Sequence, residues 1–114
     1  GVSKLANILY AKELAKRLPA GQTANALHPG VIYTPLWRHI PAPDADRLKS
    51  NLRFKSVPQG AATQVFVATH PSLSGVSGAY FSDCHVAEPT APALDEALAK
   101  HLWQATAQLV ASLS

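Results

Sequence analysis

The sequence predicts an α/β fold in the order helix, strand, helix, strand, helix. Three observations predict it. Apolar residues recur at helical spacing in three separate stretches, short apolar runs lie between them, and Gly or Pro marks each changeover. Two strands joined by a helix of this length imply a right-handed crossover with parallel strands.

The first helix carries one apolar stripe of Leu5, Ile8, Leu9, Ala11, Ala15 and Leu18. Glu13 and Arg17 form an i,i+4 pair on its polar side. It stops at Leu18, because a residue before proline disfavours the α region and Pro19 and Gly21 follow. The pattern is already running at Gly1, so an upstream turn is expected. A short strand, Thr23 to Leu27, comes next and ends at His28-Pro29-Gly30. Its β-propensity is weak, and the tight helix–turn–apolar run typical of α/β units argues for it.

Residues 31–55 are the least regular part. Pro35, Pro41 and Pro43 break them early, and Asp44 to Phe54 has the pattern of a short helix with Leu48 and Leu52 inward. The second long helix runs from about Ser56 to His70, with Pro58 in its first turn. Ala61, Ala62, Val65, Phe66, Ala68 and Thr69 are its expected buried face. Ala79-Tyr80-Phe81 after Gly78 is a strand core, and Asp83 to Pro92 is a loop. The last helix covers about residues 93–113, with a stripe of Leu94, Leu98, Leu102, Ala105 and Leu109 and with Asp95 and Glu96 in its first turn. Two strands make a poor sheet alone, so the edge of the first needs cover from further chain or from a partner.

Composition narrows the class. A chain of 114 residues, 47% apolar and 15% charged, is one globular domain or part of one. A net charge of +3 neither requires nor excludes a nucleic-acid partner, and no nucleic-acid motif accompanies it. The single cysteine, Cys84, excludes an internal disulfide framework and fits a reducing compartment such as the cytoplasm. No apolar run approaches the roughly 20 residues that span a bilayer, and Lys4 and Lys12 interrupt the only apolar stretch near the start. No membrane partner is expected.

Four stretches stand in order along the chain: Ser3-Lys4-Leu5-Ala6-Asn7, Leu27-His28-Pro29-Gly30-Val31, Gln59-Gly60-Ala61-Ala62-Thr63, and Gly78-Ala79-Tyr80-Phe81 followed by Cys84. Each alone is weak; a Pro-Gly pair occurs in many loops, and a helix lysine is most often solvated. Together they resemble the short-chain dehydrogenase/reductase family, nearest the branch of the retinol dehydrogenases and the WW-domain-containing oxidoreductase. The resemblance implies the C-terminal part of a doubly wound, Rossmann-like parallel sheet. It places Lys4 at the end of the family's Tyr-x-x-x-Lys motif, whose tyrosine would immediately precede Gly1. The implied role of Lys4 is to bond the nicotinamide ribose hydroxyls and lower the tyrosine's pKa, since a nearby ammonium favours the charged phenolate.

Pro29, Gly30, Val31 and Thr34 are the implied nicotinamide-binding loop, with the threonine hydroxyl on the carboxamide or a phosphate. Residues 35–55 are the implied substrate lid, with Leu36 and Trp37 in the pocket and Ile40, Leu48, Leu52 and Phe54 continuing an apolar wall. The same residues also read as core, the commoner explanation for apolar side chains at helical spacing. The implied cofactor is NAD or NADP, and the implied substrate a lipophilic carbonyl or alcohol. The glycine-rich dinucleotide fingerprint and the residue that selects between the two cofactors are not in this chain. The chain alone is therefore expected to be inactive.

Other candidates are weaker. None of the five histidines is paired at helical spacing with another histidine or with the cysteine, so no metal site is expected. Arg47, Lys49, Arg53 and Lys55 read as a solvated face of the lid, and Cys84 as a small thiol rather than a nucleophile. The rival reading is a non-catalytic α/β fragment that acts by self-association, through the first strand's edge and exposed apolar surface. A homo-oligomer is expected on either reading.

Overall fold

The computed structural model describes residues 1–35, 46, 50 and 52–113. Among them are three longer helices, α1 (Val2–Ala15), α2 (Val57–Thr69) and α3 (Glu96–Ser112). α1 and α2 pack on a sheet of β1 (Ala26–His28), β2 (Tyr80–Ser82) and β3 (His85–Val86) in the spatial order β1-β2-β3, and α3 packs on α1. β1 and β2 are parallel, in the register Ala26↔Tyr80, Leu27↔Phe81 and His28↔Ser82. The expected β–α–β unit is therefore present, with α2 as the intervening helix.

The sheet is mixed rather than purely parallel, because the expected loop after β2 holds a hairpin. β3 runs antiparallel to β2, pairing Phe81↔Val86 and Ser82↔His85. Only Asp83 and Cys84 connect them, both at positive φ, 52° and 59°. That is the backbone a two-residue hairpin turn needs to match the strand twist. A two-residue strand carries no alternation to read, so periodicity could not announce it.

β1 begins later than expected because Asn25 takes the place of ladder bonds. Its side-chain amide donates to the Val76 carbonyl at 2.8 Å, and its Oδ1 accepts from the Ala79 N–H at 3.0 Å. Among the described residues β1 pairs on one side only.

The two faces of β2 sort the helices. Tyr80 turns toward α1, sharing a cleft with Lys4 and Ile8. Phe81, fully buried, turns the other way and meets the Phe66 ring of α2 edge-on at 6.4 Å. Successive strand residues point to opposite faces, so α1 and α2 cover opposite sides of the sheet.

α2 starts on a capping box. The Ser56 hydroxyl accepts from the Gln59 N–H at 3.3 Å, and the Gln59 side chain accepts from the Ser56 N–H at 2.9 Å. Its buried stripe is Gly60 and Thr63, not the alanine and valine face expected from the sequence; Val65 is 58% exposed. A helix lying close on strands needs small residues at the contact. Ile32 sits where a Cβ on Gly60 would go, its Cγ1 2.5 Å from that position.

α3 begins at Glu96 rather than at 93, because Ala91–Leu94 form a 3₁₀ turn and Asp95 caps the helix, its Oδ1 accepting from the Leu98 N–H at 2.9 Å. Its buried residue is Ala99; Leu94, Leu98 and Leu109 of the expected stripe are exposed.

α3 lies along α1, and that contact corrects the reading of Glu13. Glu13 is buried rather than on a polar side. It does pair with Arg17, which donates to Glu13 Oε1 from Nε at 3.1 Å and from Nη2 at 2.5 Å. The Arg17 guanidinium sits 4.8 Å over the Trp103 ring, and that ring stacks on Tyr10 at 4.9 Å. Hydrogen bonds from Arg17 hold the Glu13 carboxyl below its ordinary range, against the burial that pushes it up.

Candidate functional site

The C-terminal end of β1 opens into a cleft beside α1. Lys4, Asn7, Ile8 and Ala11 line it from the helix, Asn25 to Gly30 from β1 and its exit, and Tyr80 from β2. It holds about 440 Å³, within the roughly 300–1,000 Å³ of small-molecule sites. Ligands of open α/β sheets bind at the carboxyl ends of strands, and this cleft runs along β1 and reaches that end.

Helical spacing explains the α1 contribution. Residues 4, 7, 8 and 11 fall on one face by their three- and four-residue intervals. Lys4 is exposed, and its ammonium has no hydrogen bond or ion pair among the described residues. Three N–H donors at one side of a cleft are chemically suited to vicinal hydroxyls or to a phosphate.

The opposite wall is the turn at Pro29 and Gly30. Gly30 has φ +88°, a conformation costly for any side chain. Its N–H donates to His28 Nδ1 at 3.0 Å, which closes the turn. The Lys55 side chain lies directly over Gly30, its Cδ 2.6 Å from where a Cβ would stand.

Lys55 corrects a second expectation, that it belongs to a solvated basic face. Its side chain is 26% exposed. The backbone N–H donates to the Val31 carbonyl at 2.8 Å, within a parallel bridge between Ile32 and Lys55. The side chain crosses Gly30, and Nζ donates to the Pro29 carbonyl at 3.5 Å and to Asp83 Oδ1. The Lys55 ammonium holds the Asp83 carboxyl below the usual carboxylate range. Beneath Asp83 the turn is fixed to α2, since the Cys84 N–H donates to the buried Thr63 hydroxyl at 3.3 Å.

The structure thus brings Lys4, Pro29 and Gly30 to one cleft. Val31 and Thr34 follow the turn, are half-buried, and do not line the cleft. Leu36, Trp37, Ile40 and Leu48 lie outside the described residues, as do Arg47 and Lys49. Phe54 packs edge-on against Tyr33 at 5.9 Å. Among the described residues no three His, Cys, Asp or Glu side chains are grouped as a metal site would need. Asn7, Asn25, His28 and Tyr80 were not singled out from the sequence. Asn7 had a signal, its i+3 spacing from Lys4, and His28 and Tyr80 stand in two of the quoted stretches; Asn25 stands in none and reaches the cleft only through the fold.

No family model matches the chain. Curated relatives do. Over 117 residues it is 44% identical to "Short-chain dehydrogenase TIC 32 B, chloroplastic" of Brassica napus, covering 99% of this chain and 37% of that protein. Over 116 residues it is 44% identical to retinol dehydrogenase 14 of Mus musculus, covering 97% of this chain and 35% of that protein. Over 110 residues it is 39% identical to the WW domain-containing oxidoreductase of Homo sapiens, covering 95% and 27% respectively. The chain spans about a third of the length of these relatives. Agreement this high, along almost every residue and with differently named relatives, places the chain in the short-chain dehydrogenase/reductase family.

Proposed function

We propose that this chain is part of an oxidoreductase that transfers hydride between a nicotinamide dinucleotide and a lipophilic carbonyl or alcohol. The observation that carries the reading is the shared cleft of Lys4 and the Pro29–Gly30 turn at the end of β1. In this reading Lys4 bonds the ribose hydroxyls of the cofactor. The turn lies against the nicotinamide ring, where Gly30 permits close approach, and Val31 and Thr34 continue toward the carboxamide. The bound cofactor supplies the hydride chemistry; the chain supplies position and electrostatics. Leu36 and Trp37 belong to the substrate wall. The names of the retinol dehydrogenase relatives support an alcohol or aldehyde on an apolar body as the substrate class.

Within this division of labour the 114-residue chain by itself does not turn over, and measurable turnover by it would contradict the reading. The binding test is a titration of the intact protein with NADH and NADPH. Lys4→Met removes the donors and keeps the stem. Losing hydrogen bonds to a charged group costs about 1.5–3 kcal/mol, so the dissociation constant rises roughly 10- to 150-fold. Unchanged affinity in Lys4→Met would refute the role of Lys4.

Two observations favour a second reading. β1 pairs on one side only among the described residues, and α3 leaves Leu109 63% and Val110 58% exposed. Both suit association with a second copy. A dimer that binds no dinucleotide would favour that reading. No helix among the described residues is long and apolar enough to cross a membrane. The cytoplasm is proposed as the compartment on the single thiol.

A further inference from the structure

We propose that Lys55 and Asp83 are positioning residues that clamp the Pro29–Gly30 turn at the wall of the cleft, an inference that rests on the nicotinamide site proposed above. Three features of the structure lead to it.

Lys55 reaches the turn from a fixed base. It directly precedes Ser56, the cap of α2, and its own backbone is tied to Val31 at the exit of the turn. Its side chain can therefore contact the turn without ordering a long loop first.

The contact is made at three points. The aliphatic end of the Lys55 side chain lies over Gly30, Cδ and Cε being 2.6 and 2.7 Å from where a Cβ would stand. Its ammonium then bonds the Pro29 carbonyl on one side and the Asp83 carboxylate on the other. An exposed ion pair alone would contribute little. Here the stem is packed and the pair bridges two separate loops.

The far end of the clamp is rigid. Asp83 sits in a two-residue turn at positive φ, closed by the β2–β3 pairing. Cys84 beside it is bonded to Thr63, which is 1% exposed in the middle of α2. The His85 ring nitrogen Nδ1 lies 2.7 Å from the Asp83 carbonyl, and His28 Nδ1 already accepts the Gly30 N–H. The Pro29–Gly30 turn is thereby held against the hairpin and, through it, against the core. A flat ring placed on such a backbone needs it fixed, since misplacement by about 1 Å costs on the order of 100-fold in rate.

The test compares Lys55→Ala, Asp83→Asn and Lys55→Arg in the intact protein, with the exposed and remote Lys100→Ala as control. Two quantities are read: amide hydrogen exchange at Gly30 and Val31 without cofactor, and the dissociation constant for NADH and NADPH. Lys55→Ala and Asp83→Asn are expected to speed exchange at those amides about 3- to 10-fold while α1 stays protected, and to weaken dinucleotide binding by a similar factor. Lys55→Arg restores most of both, and Lys100→Ala changes neither. Unchanged exchange in both variants would overturn the clamp. So would loss of protection in α1 as well, which would make the pair a support of the whole fold. Faster exchange with unaltered affinity would overturn its positioning role. Should the unsubstituted protein bind no dinucleotide, the nicotinamide reading falls, and the exchange data still decide the clamp on their own.

Discussion

Gly60→Ala is expected to change sign with its neighbour. In α2 an alanine is favoured over glycine by roughly 0.5–1 kcal/mol, through backbone entropy. Against that, the new Cβ would lie 2.5 Å from Cγ1 and 2.8 Å from Cδ1 of Ile32. Forcing a methyl into such a contact costs about 1–3 kcal/mol. The clash outweighs the propensity gain, so Gly60→Ala destabilises by roughly 0.5–2 kcal/mol. Ile32→Ala removes both clashing atoms and leaves Cβ at 3.7 Å, an ordinary contact. In that background Gly60→Ala becomes neutral or stabilising by up to about 1 kcal/mol. Urea unfolding of the four proteins of the cycle reads this directly, as a coupling of about 1–3 kcal/mol. An equal cost of Gly60→Ala in both backgrounds would refute the reasoning that Gly60 exists to admit Ile32.

Phe81→Ala empties the fully buried centre of the sheet and should cost about 3–5 kcal/mol, read from the same unfolding curves. Stability should fall in acid. Glu13 and Asp83 have folded pKa values lowered from the ordinary 4.5 and 3.8, so their contribution is complete above those values and is lost as pH falls through the lowered ones. Unfolding midpoints followed from neutral pH downward should decline in that range, and Glu13→Gln should flatten the decline. Trp103→Ala removes both the Tyr10 stack and the surface beneath Arg17. The ring pair alone is worth about 0.5–1.5 kcal/mol in a double-mutant cycle with Tyr10→Ala.

Local signals were enough for the order of the three long helices with β1 and β2, and for the parallel β1–β2 pair, but not for β3. The stripe of α1, Pro58 at the start of α2 and the glycines before β2 are written in neighbouring residues. What stayed hidden depends on distant chain. Glu13 has the composition of a solvated position, yet it is buried in the fold, where its partner Arg17 lies over Trp103 of α3. Lys55 sits in a run of basic residues that reads as solvated, and nothing nearby in sequence says that Gly30 and Asp83 will meet it. Of the expected face of α2, Phe66 does meet Phe81, whereas Ala61, Ala62, Val65 and Ala68 are exposed. The close helix–sheet contact selects Gly60 and Thr63 instead. In the candidate site, Lys4 and the Pro29–Gly30 turn were recognisable as motifs, whereas Asn25 reaches the cleft only through the fold.

The most direct test of the central claim is the footprint of NADH on amide exchange in the intact protein. Protection should rise together in the first turns of α1, around Lys4 and Asn7, and at His28, Gly30 and Val31, saturating at one dissociation constant. No protection at either segment, or protection at one of them alone, would contradict the claim that Lys4 and the Pro29–Gly30 turn form a single nicotinamide site.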